Sequence, residues 1–188
     1  MEKRYEIVVL GVSSGGMAAL SVVLPMLSAD FALPVVIVQH QHLHADDFLV
    51  RYLDERCRIP VKQAEEKEAI EPATIYLAPP NYHLLIERDR TFSLSIAARV
   101  KYARPSIDML FETAVDAFGA STIGIILTGA NNDGSHGLKI IHDRGGLTIA
   151  QDPATAEAAE MPRSAIAATG IDHILTLDAI GPLLNTMT

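Results

Sequence analysis

Three residues in the sequence have the types and positions that hydrolysis by a serine nucleophile requires. Ser13 lies in Gly11-Val-Ser13-Ser-Gly15, a G-x-S-x-G pattern between an apolar run and a helix-like segment. His40 ends the apolar run PVVIVQH, and Asp133 follows the run TIGIILTGANN. A serine hydroxyl becomes a good nucleophile when a base takes its proton, and a carboxylate orients that base. The residue types therefore predict a nucleophile at Ser13, a base at His40 and an orienting acid at Asp133.

The glycine-rich stretch around Ser13 has two other interpretations. A dinucleotide-binding turn requires G-x-G-x-x-G and an acidic residue after the second strand, but Ser13 replaces the second glycine and Gln39-His40 stands where the acid would be. In the other interpretation, Ser13 and Ser14 only cap a helix, and Asp133 caps another, because both residue types are favourable N-caps. His40 would then be a surface histidine at a strand end. Taken one at a time, the three residues leave this interpretation open.

The elements that would position these side chains are indicated by short apolar runs. Four runs lack the polar alternation of half-exposed strands and suit parallel strands buried on both faces, at 6–11, 34–39, 122–128 and 146–151. Helix-like segments lie between or after them, at 16–28, 45–57, 106–118, 134–144 and from about residue 161. This alternation predicts an α/β fold with a doubly wound, mainly parallel sheet. The strands' carboxyl ends then meet at one edge of the sheet, where all three candidate residues would lie.

The middle of the chain has a different pattern. The segment ATIYLAPPNYHLLIERDRTFSLSI, at 73–96, offers two or three short strands with tight connections, which predicts an antiparallel hairpin insertion. The sequence shows no repeat, low-complexity tract or linker, and its 188 residues suffice for one substantial core. We therefore expect a single domain over residues 1–188.

Composition restricts the partners and the compartment. A net charge of -8 argues against a general affinity for nucleic acid or anionic membrane, because both need a basic face. No stretch approaches the roughly 20 apolar residues of a membrane span, and the start lacks a signal peptide's apolar region. Cys57 is the only cysteine, which is typical of a reducing compartment. We expect a cytoplasmic protein that does not insert into a membrane.

Several motifs together resemble one known family. The chain is similar to the catalytic domain of the chemotaxis protein-glutamate methylesterases, which have a G-x-S-x-G-G opening, a Q-H strand end and an L-T-G-x-x-N-D-G loop. These occur here at 11–16, 39–40 and 127–134. The segments IYLAPPNYH, RPSIDMLF, TIAQD and MPRSAI also resemble family segments in the same order. The resemblance covers nearly the whole chain, and its motifs are specific as a set.

The resemblance implies an activity, a substrate and a catalytic triad. It implies hydrolysis of glutamyl methyl esters on the cytoplasmic helices of a chemoreceptor, with deamidation of glutamine as a related reaction. It also implies a Ser13-His40-Asp133 triad that needs no cofactor. We take two sets of residues as candidate substrate or oxyanion contacts: the backbone near Ser14, Gly15, Gly16 and Ala130, and the guanidinium of Arg104, which could hold an acidic substrate.

The sequence departs from the family pattern in two loops and in its domain content. Gln41-His42 replaces the Met-Pro that commonly follows the catalytic histidine, and Ala130-Asn131 replaces Met-Gly. A methionine that packs against the imidazole is thereby absent. Family members usually carry an N-terminal phosphoacceptor receiver domain, whereas this sequence begins at the catalytic domain. We therefore expect no phosphorylation control within the chain, and a separate receiver-domain protein is a candidate partner.

A histidine-rich loop supports a second class of function. His42, His44 and Asp46 in QHQHLHADD lie one residue away from the H-x-H-x-D-H pattern of binuclear metallohydrolases. Alternate imidazoles in an extended loop can bind one zinc ion, and a carboxylate can complete its shell. The alternatives are thus a metal-dependent hydrolase using this cluster, or a non-catalytic binding domain with the same fold. Sensitivity to a chelator would distinguish the first, and indifference to Ser13→Ala the second.

Overall fold

The computed structural model describes residues 4–41 and 45–187 of the chain. Its strands are β1 (Ile7–Val12), β2 (Val35–Gln39), β3 (Val61–Gln63), β4 (Ile75–Leu77), β5 (His83–Ile86), β6 (Phe92–Ser95), β7 (Thr122–Ile126), β8 (Leu147–Gln151) and β9 (His173–Leu175). Its α-helices are α1 (Gly16–Val23), α2 (Phe48–Asp54), α3 (Ile107–Phe118), α4 (Ser135–Asp143), α5 (Glu160–Ala168) and α6 (Leu177–Asn185).

The main sheet is parallel and doubly wound, which confirms the predicted fold class. Its strand order is β3-β4-β2-β1-β7-β8-β9, and every neighbouring pair in it is parallel. The chain begins at the central strand β1, builds one side of the sheet and returns to build the other from β7. The strand order therefore reverses at β1, and the carboxyl end next to such a reversal is where open α/β sheets bind ligands.

Helices cover both faces of this sheet. Side chains of β1 alternate between the faces: Val8 and Leu10 pack with α1, α2 and α6, whereas Ile7 and Val9 pack with α3, α4, α5 and the hairpin of β5 and β6. Both sets are almost completely buried. Burial on both faces explains why the central strands read as continuous apolar runs.

The predicted antiparallel insertion is present, but it is shorter than the segment 73–96. Only β5 and β6 form the antiparallel pair, whereas β4 joins the parallel sheet between β2 and β3. All three residues of β4 are buried, as expected of a strand covered on both faces. Assigning β4 to the insertion was therefore wrong.

Two predicted helices are also shorter than expected. α1 ends at Val23 rather than near residue 28, and the chain continues as a 3₁₀ turn, Leu24–Met26. Pro25 has no amide hydrogen, so the α-helical hydrogen-bond pattern stops there. α2 begins at Phe48, whose amide donates to the Asp46 carboxylate, rather than at residue 45. Among the residues that the structure describes, no helix combines the length and apolar character needed to span a bilayer.

Candidate active site

The structure brings Ser13, His40 and Asp133 together at the carboxyl edge of the sheet. They follow β1, β2 and β7 respectively. The Ser13 Oγ lies 3.2 Å from His40 Nδ1, and His40 Nε2 lies 2.9 Å from an Asp133 carboxylate oxygen. Both distances are within the reach of proton transfer or hydrogen bonding. The arrangement can activate a serine hydroxyl for attack on a carbonyl carbon.

The turn that carries Ser13 is fixed by backbone hydrogen bonds. The Ser13 amide donates to the Thr128 carbonyl at 2.9 Å, and the Gly16 amide donates to the Ser13 carbonyl at 2.8 Å. The left-handed residue of the turn is Gly15, with φ of 78°, and not the serine itself. Glycine adopts that conformation without the penalty of a side chain.

Asp133 is enclosed by donors and is 1% exposed. Besides His40, its carboxylate accepts hydrogen bonds from the amides of Ile107 (2.7 Å) and Asp108 (3.1 Å) and from the Ser106 hydroxyl (3.0 Å). Burial raises the pKa of Asp133, but the hydrogen bonds from His40 and from the two amides outweigh that effect, so its pKa lies below the ordinary value. The carboxylate is therefore ionised at neutral pH and can orient an imidazole.

The donors to Asp133 come from the first turn of α3, which two glycines allow to approach. A Cβ on Gly11 or on Gly134 would overlap the Ile107 side chain. Because neither residue has one, Ile107 packs between them, and the helix N-terminus, where amides are unpaired within the helix, reaches the carboxylate.

Gln39 ties the serine and histidine loops together. Its side-chain amide nitrogen donates to the carbonyls of Ser13 (3.0 Å) and His40 (2.9 Å). A Cβ on Gly16 would overlap the side-chain oxygen of Gln39, Oε1, so the glycine at the start of α1 makes room for this bridge.

A cavity of about 580 Å³ opens beside the serine. Its lining includes Ser13, His40 and three basic residues, Arg99, Lys101 and Arg104, and no acidic residue. This is the opposite of the net charge of the chain, which is -8. Lys101 is held in place by the Asp108 carboxylate at 2.7 Å. The cavity therefore presents positive charge to a molecule that approaches Ser13.

The remaining candidate contacts are placed unequally. Arg104 lines the cavity, but it donates to Asn81 Oδ1 (2.7 Å from Nη2) and to the carbonyls of residues 96 and 97, so it also braces the segment after β6. The Gly16 amide is already engaged within the turn. Ser14 and Ala130 are exposed, and Gly15 is half-buried.

The residues of the metal alternative lie partly within the described part of the chain, and no metal cluster is found there. His42 and His44 lie outside the described residues. Asp46 uses a carboxylate oxygen to accept the Phe48 amide at the start of α2. Over 4–41 and 45–187, no group of three or more His, Cys, Asp and Glu side chains could hold a metal ion.

Burial raises the pKa of Cys57 to about 11, which makes it a poor nucleophile.

Three further side chains were not singled out from the sequence, two that contact His40 or Asp133 and one that contacts Ser106. Asn131 lies beside His40, Ser106 donates to Asp133, and the buried His83 accepts the Ser106 amide through Nδ1 at 3.1 Å. Ser106 had one sequence signal, because a serine directly before a helix is a typical N-cap. The other two contacts depend on the packing of separate elements, and no local pattern indicates them.

Known proteins with a similar sequence or structure identify the family of this chain. A model of the CheB methylesterase family matches residues 8–184. A provisionally named protein-glutamate methylesterase/protein-glutamine glutaminase of Leptospira interrogans is 54% identical, over 96% of this chain and 93% of its own length. Protein-glutamate methylesterase/protein-glutamine glutaminase 1 of Carboxydothermus hydrogenoformans is 38% identical, over 93% of this chain but only 53% of its own length. The crystal structure of the Thermotoga maritima CheB methylesterase catalytic domain superposes with a TM-score of 0.94 at 32% identity, covering 98% of this chain and 99% of that one. The chain therefore belongs to the CheB methylesterase family.

Proposed function

We propose that this chain removes methyl groups from glutamyl γ-methyl esters with Ser13 as nucleophile, His40 as general base and acid, and Asp133 as the group that orients the imidazole. Membership of the family makes the chain a carboxylic ester hydrolase of the protein-glutamate methylesterase class. The observation that supports the residue assignment is the unbroken hydrogen-bond chain from Ser13 through His40 to the buried Asp133.

The geometry suggests a two-step reaction. His40 Nδ1 takes the hydroxyl proton as the Ser13 Oγ attacks the ester carbonyl carbon. Nε2 keeps its own proton and donates it in a hydrogen bond to the Asp133 carboxylate. The bond to the methoxy oxygen breaks, and that oxygen leaves as methanol with the proton from Nδ1. Water then gives a proton to Nδ1 as its oxygen attacks the acyl carbon. The bond from that carbon to Ser13 Oγ breaks, which leaves the glutamyl carboxyl group, and Oγ takes the proton from Nδ1. The backbone amides of Ser14, Gly15 and Ala130 are the proposed donors to the oxyanion, because the Gly16 amide is already engaged.

The charge of the cavity favours an acidic substrate. Arg99, Lys101 and Arg104 line the space beside Ser13, and no carboxylate belongs to that lining, although Lys101 is paired with Asp108. A segment with glutamates around the ester would be attracted to it. This supports the methylated cytoplasmic helices of a chemoreceptor as the proposed substrate, and an enzyme that acts on them would work in the cytoplasm. Deamidation of glutamine is included in the proposal, because amides and esters share the tetrahedral intermediate, and a separate receiver-domain protein remains a proposed regulator.

Methanol release from methylated chemoreceptor fragments tests the proposal. We expect the wild-type protein and Ser14→Ala to release methanol, and Ser13→Ala to lose activity by a factor of about 10⁶ in kcat, as in other serine hydrolases. A chelator should change none of these rates. Circular dichroism of both variants would show that the fold is retained.

Other outcomes would contradict specific parts of the proposal. An active Ser13→Ala beside an inactive Ser14→Ala would overturn the choice of nucleophile. Loss of wild-type activity with chelator would favour a metal-dependent hydrolase. Equal methanol release by Ser13→Ala and wild type would be expected of a non-catalytic domain contaminated by another esterase.

A further inference from the structure

Asn131 contacts the catalytic base on the side where the base must accept a proton. It lies in the loop between β7 and α4 and lines the cavity with Ser13 and His40. Its side-chain nitrogen is 3.3 Å from His40 Nδ1, and its side-chain oxygen accepts the backbone amide of Asp133 at 2.9 Å. One side chain therefore touches the imidazole and also fixes the residue that carries the orienting carboxylate.

The second contact determines which end of the Asn131 amide faces the imidazole. The Asp133 backbone N–H can only donate, so it must pair with the Asn131 oxygen. The NH₂ group is left facing His40, and since it can only donate, Nδ1 must be the unprotonated acceptor. On the other side of the ring, the ionised Asp133 carboxylate can only accept, so Nε2 must carry the proton. Both neighbours of the ring thus favour the same tautomer.

We propose that Asn131 is a positioning residue that holds His40 in the Nε2-protonated tautomer, with the Nδ1 lone pair facing Ser13. The Nδ1 lone pair is shared between two donors at similar distances, 3.2 Å from Ser13 Oγ and 3.3 Å from the Asn131 nitrogen. When Nδ1 takes the serine proton, its new N–H no longer accepts from Asn131, so the amide must release the ring. Asn131 acts on the resting base and leaves the proton-transfer step to Ser13.

The proposed contact acts both in the free protein and in the reaction. Its kinetic consequences rest on the proposed esterase function, but the tautomer itself does not, because it is a property of the free protein.

Asn131→Asp separates the two contacts of this side chain. A carboxylate oxygen still accepts the Asp133 amide, so the loop keeps that hydrogen bond, but the atom facing Nδ1 becomes an acceptor. A negative charge at this distance favours a proton on Nδ1. We expect kcat near neutral pH to fall about tenfold or more with KM changed less than about twofold, and the acid limb of the pH–rate profile to move up by about one pH unit.

Nitrogen NMR of histidine-labelled protein measures the proposed tautomer without any substrate. In the wild type at pH 7.5 we expect His40 Nδ1 to give the signal of an unprotonated nitrogen and Nε2 that of a protonated one; in Asn131→Asp we expect a proton on Nδ1. Asn132→Asp is the matched control, because it makes the same chemical change at the next residue, which is exposed. It should keep the wild-type NMR signals and pH profile.

The proposal is overturned if wild-type His40 carries its proton on Nδ1, or if Asn131→Asp keeps the wild-type tautomer and pH profile. The second result would mean that Asn131 serves only to accept the Asp133 amide. If the wild type releases no methanol but the NMR signals change as expected, the esterase assignment fails and the role of Asn131 stands.

Discussion

The two ends of the Ser13-His40-Asp133 chain differ sharply in their surroundings. The Asp133 end is 1% exposed and surrounded by four donors. At the other end, the Ser13 side chain is half-buried and lines two cavities, of about 580 and 600 Å³. Asp133, the proposed orienting acid, is held in place without substrate, whereas Ser13, the proposed nucleophile, remains accessible. This division suits a reaction in which charge develops on the imidazole while the substrate stays at the surface.

The two cavities beside Ser13 also differ from each other. The first is lined by three basic residues. The second is lined mainly by small and apolar side chains, with Met17, Ala18 and Tyr52 among them and Glu157 as its one acidic member. A substrate segment that crosses Ser13 would therefore meet a basic surface on one side and an apolar surface on the other. An amphipathic helix with acidic residues offers both types of contact.

The largest expected effect comes from changing Asp133, the enclosed end of the triad, which we call its closed end. Asp133→Asn can keep the oxygen that accepts from the Asp108 amide and the Ser106 hydroxyl, while its NH₂ replaces the oxygen that accepts from His40 and the Ile107 amide. A donor at that position would force the ring into the tautomer with a protonated Nδ1. We expect kcat to fall about 10⁴-fold with little change in KM, as in other triads where this aspartate becomes asparagine. Steady-state methanol release measures both parameters.

A matched control shows whether the loss is specific to the triad. Asp172 also has a lowered pKa, since hydrogen bonds from Thr148 outweigh the effect of its partial burial. Asp172→Asn should leave kcat within about twofold while producing a similar change in side-chain chemistry. A loss of less than about tenfold for Asp133→Asn would show that the enclosed carboxylate is not the orienting group.

A smaller effect is expected from removing one donor to the same carboxylate. Ser106→Ala deletes the hydroxyl that donates to Asp133 and caps α3 through the Met109 amide. We expect a loss of about 1 kcal/mol in the free energy of unfolding, the usual value of a helix cap, and a fall of roughly fivefold in kcat. Urea unfolding and methanol release measure the two effects.

Ser164→Ala is the corresponding control, because its hydroxyl bonds only an exposed carboxylate, that of Glu160. It should change neither quantity measurably. If Ser106→Ala lowers stability but leaves kcat unchanged, the other donors suffice to hold Asp133, and the hydrogen bond from Ser106 is not needed for catalysis.

The sequence predicted the meeting of the three triad residues for a physical reason. Ser13, His40 and Asp133 each follow a buried strand, and the carboxyl ends of parallel strands share one edge of a sheet. Their convergence therefore required only the right fold class. The contact of Ser106 with Asp133 depends instead on how closely α3 approaches the sheet, which follows from the packing of Ile107. The contact of Asn131 with His40 depends on how the loop after β7 packs against the end of β2. Neither contact has a periodic signal in the sequence.

Small elements at the edges of the sheet were missed for related reasons. β3 and β9 have three residues each, and β9 is only partly buried, so neither forms a recognisable apolar run. α6 contains Pro182 in its interior, a residue that usually argues against a helix. Pairing with β4 and β8, and burial of Ile180 and Leu184 against the core, stabilise these elements in the fold.

An effect of similar size, on KM rather than on kcat, is expected at the open, basic side of the site. Arg99→Glu reverses one of the three charges that line the cavity. We expect KM for an acidic receptor fragment to rise about fivefold at low ionic strength with kcat almost unchanged, and the difference to shrink as salt screens the charges. Arg88→Glu, at an exposed position in the connection between β5 and β6, makes the same change away from the site and should leave KM unaltered. Equal effects of the two variants would indicate a response to net charge alone.

The smallest expected effect concerns His83, which contacts Asp133 only indirectly, through Ser106. Its side chain is fully buried, accepts the Ser106 amide and donates to the Ala98 carbonyl. Burial lowers the pKa of His83 below its ordinary value of 6.5. The unfolded chain therefore binds this proton more readily than the folded one, and the stability that depends on a neutral His83 is present above about pH 6.5 and is lost as the pH falls from there toward the folded-state pKa. Urea unfolding between pH 5 and 7.5 should show that the free energy of unfolding depends less steeply on pH in His83→Gln than in the wild type. His136→Gln, at an exposed position, should retain the wild-type slope. Parallel curves for wild type and His83→Gln would mean that His83 takes up its proton equally well in both states, so that the support beneath Ser106 and Asp133 does not require a neutral imidazole.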